Sequence, residues 1–492
     1  MYVEADTTNT PEELLALCKD HPEMIVSMIV SQGELISELR EIIQTLNAQL
    51  KELHAQKNQD SHNSNKPPSS DGLKRVVTST RVKSNRSSGG QRGHKGSTLA
   101  MTDNPDKIVE HRVDRCPCGC SLKRVPVRRR YRRQVIDIPA PQVETLEHQS
   151  EEKQCPRCGV ISIAPFPDGV EKNIQYGIHI KSLAISLMQY QLLPLQRTQE
   201  LLRDLFAVKI SQGTLVNWTR ELHTKLEPVE QQIVEHVKLQ DVVHADETGI
   251  FCENALHWVH VASTADVTHL QMHRKRGSEA LDDIGILGSM NGRVIHDCWS
   301  SYFKYNVEHG ICNAHLLREL SGVYEIDQQP WALRMRTLLN RIHYRVEQAK
   351  AKHKKSLPKP VCAYYKQRYR ALLKSADALH PRQESPPGKR GRPKQTKVRN
   401  LIDRMMIYQD AALAFMEDFR VPFTNNQAER DLRMLKVKQK ISGTFRSREG
   451  GDVFCRIHSY ISTARKNACS VFYAIVMAFM CEPFIPKNIY AE

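Results

Sequence analysis

Three acidic side chains lie where short apolar or turn-forming segments could bring them to one place. Asp246 follows a short apolar run and precedes Gly249, which predicts a carboxylate at the end of a buried strand that the glycine terminates. Asp297 repeats this pattern after a second apolar run. Glu429 falls in the first turn of a helix that is predicted to begin near residue 424. Two acids on strands and one on a helix can gather around metal ions.

Carboxylates in this arrangement suit magnesium, which prefers hard oxygen ligands. Two such ions, about 3.5–4 Å apart, can bind both the attacking and the leaving oxygen of a phosphodiester. We therefore predict that Asp246, Asp297 and Glu429 are catalytic and hold two Mg²⁺ ions, with Mn²⁺ as a substitute. Each acid also has an ordinary structural interpretation: Asp246 in a turn with Gly249, Asp297 as a helix cap, and Glu429 as part of a capping box.

The residues around the acids change from helical to strand periodicity. Residues 256–261 and 267–272 are interpreted as two more strands after that of Asp246, and residues 279–287 as a helix before the strand of Asp297. Three antiparallel strands, a helix and then a parallel strand are the order of a ribonuclease-H-like fold. The acids are therefore expected on a ribonuclease-H-like α/β catalytic core.

The chain has 492 residues, too many for a single core, so several domains are expected and the predicted fold class is multidomain α+β. We divide it into a coiled-coil helix (1–56), a flexible basic linker (57–104), a zinc-binding domain (105–168), a helical, helix-turn-helix-like DNA-binding domain (169–236), a ribonuclease-H-like catalytic domain (237–311 and 421–466) interrupted by a helical insertion (312–420), and a C-terminal helix and tail (467–492). Within the insertion, Cys312 and His315 are interpreted as a buried pair near the acids rather than as metal ligands.

Composition favours a polyanionic partner. The formal net charge is +16 and the pI is about 9.2, which makes nucleic acid the expected partner, although a basic protein without such a partner is the alternative. No apolar run follows a basic N-terminus, and the late apolar stretch 471–480 is too short to span a bilayer. We expect a soluble cytoplasmic protein with no membrane contact and mostly reduced cysteines.

Five of the thirteen cysteines form two clusters with metal-ligand spacing. Cys155 and Cys158 make a CxxC knuckle followed by glycine, as at a tetrahedral zinc site. Cys116, Cys118 and Cys120 offer a CxC or a CxxxC pair instead. Four of these five thiolates are predicted to bind a structural Zn²⁺, with free thiols as the alternative. Which two cysteines of the first cluster bind stays open.

The N-terminal residues 11–55 have helical periodicity, with apolar residues at alternating steps of three and four or their multiples. This seam comprises Met28, Leu35, Leu39, Ile42, Leu46 and Leu53. It predicts a short coiled coil and a homo-oligomer, with one amphipathic helix packed on its own domain as the alternative. The basic linker after it either follows a phosphate backbone or is only a solvated tether.

Clustered cations are predicted to contact DNA. The predicted contacts are Arg128, Arg129, Arg130, Arg132 and Arg133 beside an aromatic residue, Arg390, Arg392 and Lys394 in a segment suited to an A·T-rich minor groove, and Arg430, Arg433, Lys436 and Lys440 after Glu429. A predicted helix at 195–206 and a second one capped by Ser211 have the shape of a helix-turn-helix. A solvated strand edge, a charged loop and an ordinary helical hairpin are the respective alternatives.

At these residues the chain resembles the transposases of the insertion-sequence-66 family of bacterial mobile elements. The resemblance rests on HADETG, LHWVHVAST, HDCWSSYF, CNAHLLREL, KRGRPK and VPFTNNQAERDLRMLKVKQKISGTFRS, and also on the N-terminal zipper, NSNKPPSSDG and the cysteine knuckles. It covers nearly the whole chain. It implies a ribonuclease-H-like DDE domain whose acids are Asp246, Asp297 and Glu429. The first knuckle departs from the family's usual CPxCG by one missing residue.

The resemblance implies a bacterial, nucleoid-associated enzyme that cleaves DNA and joins its 3′ end to new DNA. Its expected partners are double-stranded DNA, as the terminal inverted repeats of an element and as target DNA, a second copy of the chain, and accessory proteins of the same element. One rival is a non-catalytic DNA-binding regulator built on the zinc knuckles and the helix-turn-helix. That rival predicts no clustering of the three acids. A second rival is a ribonuclease-H-like nuclease that cuts without joining.

Overall fold

A computed structural model of the chain describes residues 22–64, 93, 96, 99–138, 141–384 and 393–486. The first part of the predicted coiled coil and most of the predicted linker lie outside the described residues. So do two predicted DNA contacts, Arg390 and Arg392.

The N-terminal helix α1 spans Pro22–Lys57, which confirms a helix over most of the predicted range. Its predicted seam residues Leu35, Leu39, Ile42 and Leu46 are all about half exposed. Solvent-exposed apolar residues at this spacing form a stripe that none of the described residues covers. The coiled coil and the oligomer stay predictions.

The central sheet consists of the strands β3 Val242–Cys252, β4 Ala255–Ser263, β5 Thr268–His273, β6 Arg293–His296 and β7 Glu308–Ile311. Their spatial order is β5-β4-β3-β6-β7. The first three are antiparallel neighbours, and β6 and β7 add in parallel. The predicted order of a meander, a helix and a parallel strand is therefore confirmed. The fifth strand, β7, was not predicted. A separate hairpin of β1 (Glu152–Gln154) and β2 (Ile161–Ile163) encloses the second cysteine knuckle.

Helices surround the sheet. They are α2 Ile178–Ile185, continued by a π-helical turn Ser186–Tyr190, α3 Leu195–Phe206, α4 Gln212–Lys225, α5 Glu227–Lys238, α6 Ser278–Ile284, α7 Asn313–Glu325, α8 Pro330–Lys350, α9 Lys359–Leu379, α10 Lys397–Ile407, α11 Gln409–Glu417, α12 Asn426–Ser442, α13 Arg448–Lys466 and α14 Val471–Phe479. The predicted helical character of residues 312–420 is confirmed, because α7–α11 lie there. Among the described residues, no helix combines the length and the apolar content needed to cross a membrane.

The helices before the sheet share a core with it. Leu215 and Trp218 of α4 belong to the same buried cluster as Val243 and Ala245 of β3 and Ile457 of α13. Residues on both sides of the predicted boundary between 236 and 237 belong to this cluster, and the division of the chain into domains stays a prediction. Such packing holds the helical hairpin in a fixed orientation relative to the sheet.

Gly249 does not end the first strand, contrary to the prediction. β3 continues to Cys252, and Gly249 pairs with Trp258 of β4. A Cβ atom at Gly249 would lie 3.1 Å from a methyl carbon of Leu256 and 3.8 Å from the Trp258 ring. The glycine is therefore explained by close cross-strand packing rather than by a turn. Asp246 consequently lies in the middle of a strand, so its ordinary interpretation as a turn residue is wrong.

Candidate active site

The pairing of β3 with β6 brings two of the predicted acids together. His244 pairs in parallel with Ile295, and two residues further along each chain are Asp246 and Asp297. Residues two apart on a strand point to the same face, and neighbouring strands lie about 4.8 Å apart. Asp297 follows the last residue of β6 directly. The two carboxylates therefore project from adjacent strands on one face of the sheet.

Asn425 attaches the third acid's helix to the same place. Its side-chain amide donates to the carbonyl oxygen of Ala245 (2.8 Å), and its Oδ1 lies 2.8 Å from Nδ1 of His244. Both bonds are buried and end on the residues just before Asp246. Glu429 lies one turn into α12, as predicted. The capping-box interpretation of Glu429 finds no support, because the residue that caps α12 is Asn425 and its side chain bonds β3 instead.

The charges of the other two acids both act on Asp246. The pKa of Asp246 is raised well above its usual value, first by burial and then by the charges of Glu247, Asp297 and Glu429. The pKa of Asp297 is raised to about 6, first by burial and then by Glu247. Buried like charges repel unless a cation lies between them. The cluster therefore has the electrostatic character of a cation-binding site.

Glu247 points to the opposite face from Asp246 and holds a second network. Its side chain is fully buried, its Oε1 accepts from Arg276 (2.8 Å), and its Oε2 accepts from the hydroxyl of Tyr302 (2.6 Å). The Arg276 guanidinium stacks between two rings, 4.8 Å from Trp258 and 4.4 Å from Trp299. Strand alternation accounts for the direction of Glu247, but the local sequence gives no sign of these partners.

This network fixes the loop that carries the second acid. The N–H of Trp299 donates to Oδ1 of Asp297 (2.9 Å), but no helix begins there: the next helical turn is Tyr302–Lys304 and its cap is Ser301, so the interpretation of Asp297 as a helix cap is wrong. The N–H of Tyr302 donates to the carbonyl of Trp299 (3.2 Å). Because Arg276 and Tyr302 both bond Glu247, the loop after Asp297 is tied to the strand that carries the first acid.

Cys312 and His315 lie beside Glu429. One ligand atom from each of the three residues lies within 4.8 Å of the others. Burial raises the pKa of the Cys312 thiol to about 11 and lowers the pKa of His315 to about 3, so both are neutral near pH 7. The backbone N–H of Asn425 donates to the Cys312 sulfur (3.1 Å). Cys312 is buried and His315 is half-buried, so the predicted position of this pair near the acids agrees with the structure, while its interpretation as other than metal ligands stays a prediction.

The donor chemistry of the three acids fits magnesium. Asp246, Asp297 and Glu429 offer carboxylate oxygens only, which are the ligands that Mg²⁺ or Mn²⁺ prefers. The cysteine and histidine beside Glu429 are softer ligands that suit Zn²⁺ instead. Burial raises the pKa of both Asp246 and Asp297, so a cation bound between them would offset the cost of burying their charges.

Cations extend along α12 from Glu429. Arg433, Lys436 and Lys440 follow it at steps of four, three and four, which places them on the same helical face. These three side chains and Arg430 are exposed. Lys436 also reaches back to β3, where its ammonium donates to the carbonyl of Gly249 (2.6 Å). The face that leads away from the acids is therefore basic.

The other predicted DNA contacts lie far along the chain from the acids. Arg128, Arg129, Arg130, Arg132 and Arg133 are exposed in a segment without sheet pairing, and Lys394 is exposed too. Arg130 forms an ion pair with Glu110 (2.5 Å), and Arg129 stacks on Tyr131. The predicted helix pair is present as α3 and α4, and the Ser211 hydroxyl caps α4 as predicted. Contact with DNA by any of these residues stays a prediction.

Both cysteine clusters form tight turns. In each, the N–H of the following glycine donates to the carbonyl of the first cysteine, at 2.8 Å for Cys116 and 2.9 Å for Cys155. Hydrogen bonds from the backbone of Cys120 and from the thiols of Cys116 and Cys120 lower the pKa of Cys118 to about 7, which favours the metal-binding thiolate. Among the described residues, the five sulfur atoms are not gathered into one cluster, and the zinc site stays a prediction.

Comparison with protein-family models matches residues 174–453, more than half of the chain, to the transposase IS66 family. The chain belongs to this family. The match begins just before α2, includes the sheet, the insertion and α12, and ends within α13. A second model, described as a family of unknown function, matches residues 23–100. No curated protein matches the chain significantly.

Membership of the IS66 transposase family implies that the chain binds DNA and that it transfers DNA with the help of divalent metal ions. The same match bears out the resemblance found in the sequence. The sequence did not predict three residues that organise the site, Asn425, Arg276 and Tyr302. The sequence position of Asn425 indicates a helix cap, because Asn is common at the start of a helix. Its hydrogen bonds to β3 depend on tertiary packing, which the local sequence does not show.

Proposed function

We propose that this IS66-family chain is a DDE transposase with a ribonuclease-H-like catalytic core that cleaves DNA strands at element ends and joins them to target DNA. One arrangement carries the proposal. Asp246 and Asp297 each lie two residues beyond the parallel pair His244–Ile295 on adjacent strands, and Asn425 bonds the helix of Glu429 to β3 just before Asp246. The strand order β5-β4-β3-β6-β7 around these acids supports the ribonuclease-H-like assignment.

Asp246, Asp297 and Glu429 would hold two Mg²⁺ ions, which when bound stabilise the charge on the attacking and leaving oxygens of a phosphodiester. The residues around them have supporting roles. Asn425 fixes the helix of Glu429 on β3 through two buried bonds. The contact of Arg276 with Glu247 fixes the loop of Asp297.

The basic face of α12 is the proposed track for the DNA backbone. Arg433, Lys436 and Lys440 continue along the helix from Glu429, so a strand whose phosphate lies at the acids would have its next phosphates near these cations. Arg430 flanks Glu429 on the exposed side. Contacts of this kind position DNA without reading its sequence, which leaves recognition of the ends to the N-terminal modules.

The cysteine turns, the helix pair α3–α4 and the exposed stripe of α1 are the proposed modules for structural zinc, end recognition and homo-oligomer formation. The supporting observations are the lowered pKa of Cys118, the cap at Ser211 and the half-exposed leucines of α1. Their arrangement before residue 241 allows DNA to be bound by one part of the chain and cleaved by another.

The test uses the full chain with DNA that carries the sequences flanking its gene. Asp246→Asn should abolish Mg²⁺-dependent strand cleavage and strand transfer. The affinity for DNA should stay within about twofold of that of the unsubstituted chain, because the substitution removes no contact between a cation and a phosphate, and loss of one such contact would weaken binding by more than twofold. Asp241→Asn is the matched control. Asp241 lies just before the same strand, in an exposed ion pair with Arg420, and its variant should keep full activity.

Cleavage retained by Asp246→Asn would refute the assignment of the site. Cleavage without any joined product, from an otherwise active chain, would favour the nuclease that cuts without joining. Binding to DNA without either reaction, in the presence of Mg²⁺ or Mn²⁺, would favour a DNA-binding regulator.

A further inference from the structure

A short segment after α1 folds into a compact turn of its own. Within residues 58–64, Oδ1 of Asp60 accepts from the N–H groups of His62 (2.8 Å) and Asn63 (3.2 Å). In return, Oδ1 of Asn63 accepts from the N–H of Asp60 (2.9 Å), and its amide donates to the carbonyl of Asn58 (2.9 Å). Reciprocal bonds of this kind give a seven-residue segment a defined shape without a core of its own.

The turn packs into a notch on α7, the first helix of the insertion. Asn63 is only 9% exposed, and a Cβ atom at Gly322 would lie 2.3 Å from the Asn63 carbonyl oxygen. No side chain fits at that distance, so only glycine permits the contact. The rim is polar: the Asn63 amide lies 3.4 Å from Oε2 of Glu325, and His62 lies 3.6 Å from its Oε1.

Gly322 is otherwise unexpected in this helix. It lies inside α7, where glycine is less favourable than alanine by about 1 kcal/mol. Its φ is in the ordinary helical range, so no backbone strain requires glycine there. The close approach of Asn63 supplies the missing reason for a residue without a side chain.

We propose that residues 58–64 are a docking segment that holds α1 on the catalytic body through the notch at Gly322. The docking segment lies within the matched region 23–100, and this assigns part of that region an intramolecular binding role. α1 ends at Lys57, immediately before the segment. A partner that covers the apolar stripe of α1 would thereby be attached to α7. This helix is the first of the insertion, and it begins beside Glu429. The proposal does not depend on the catalytic assignment.

Hydrogen–deuterium exchange of the intact chain tests the docking, because a substitution on one side of the contact should change amide exchange on the other side. Gly322→Ala leaves the sequence of residues 58–64 unchanged, yet it should raise their amide exchange by roughly tenfold or more, because the segment can no longer seat. Asn63→Ala leaves α7 unchanged, yet it should speed exchange at residues 322–326, which the segment covers. Gly288→Ala is the matched control, since a Cβ there meets nothing within 4 Å.

Unchanged exchange of residues 58–64 in Gly322→Ala would overturn the proposal. So would an effect of Asn63→Ala that is confined to its own turn. If Gly322→Ala unfolds α7, exchange will rise along the whole of Asn313–Glu325, and Asn63→Ala then decides. Unprotected amides at residues 58–64 in the original chain would also overturn it.

Discussion

Replacing Asp297 by Asn should stabilise the metal-free protein while abolishing its activity. The pKa of Asp297 is about 6 in the fold against a usual value of 3.8, a difference of about two units. Each unit corresponds to about 1.36 kcal/mol, so the ionised carboxylate makes the fold less stable by about 3 kcal/mol. Asn has nearly the same shape and its Oδ1 can still accept from the N–H of Trp299. The variant should recover most of that free energy of unfolding.

The sign of the pH dependence follows from the raised pKa. The folded state holds the proton more tightly than the unfolded chain, so this contribution to stability is complete below pH 3.8 and is lost as the pH rises through about 6. The gain from Asp297→Asn should therefore be small near pH 4 and should reach its full value near pH 8. Mg²⁺ should stabilise the original chain at pH 8 and leave the variant unaffected, because binding needs the ionised ligand.

The assay is urea unfolding at both pH values, in EDTA and in excess Mg²⁺. Asp137→Asn is the control: Asp137 also accepts a backbone N–H, from Ile138 (2.8 Å), but it is exposed. That variant should show no pH-dependent gain. If Asp297→Asn gives the same small change at both pH values, the cluster is not electrostatically strained, and the case for a cation site there fails.

Further predictions concern the supports of the site, the DNA track and zinc. Arg276→Ala should lower the free energy of unfolding by about 3 kcal/mol, because it leaves the buried Glu247 charge unpaired, whereas the double variant with Glu247→Gln should recover much of the loss in a double-mutant cycle. Arg433→Gln and Lys436→Gln should each reduce the slope of the logarithm of the DNA-binding constant against the logarithm of the salt concentration by about 0.9, measured by fluorescence anisotropy. The reduction should be the same for DNA of any sequence. Cys155→Ser should reduce the zinc content measured by mass spectrometry of the purified chain, from about one ion towards none.

The fold was predictable where the sequence has a strong period. The meander, the following helix and the parallel strand have clear patterns, so the sequence alone assigns Asp246 and Asp297 to strands of one sheet. The end of β3 was not predictable. A glycine after a short apolar run is typical of a turn. The role of Gly249 is instead determined by Leu256 and Trp258 on the next strand, and the local sequence pattern does not show these contacts.

The site was predictable in its ligands and not in its supports. The residue type alone identifies a carboxylate as a candidate metal ligand, and the order of the three acids along the chain limits the folds that can bring them together. Asn425, Arg276 and Tyr302 act through partners that are 180, 29 and 55 residues away in the chain. Their residue types are common on any surface or in any core, so only the three-dimensional arrangement distinguishes them.

The presence of Glu247 beside three other acids needs a physical reason, because its charge raises the pKa of both Asp246 and Asp297. An isosteric glutamine would remove that repulsion. It would also leave Arg276 without a charged partner, and Arg276 between its two tryptophans is what ties the loop of the second acid to the strand of the first. Strand alternation lets one dipeptide supply a ligand on one face and an anchor on the other. The carboxylate of Glu247 therefore raises the electrostatic free energy of the metal-free site and, in exchange, fixes the relative position of the two strand-borne ligands.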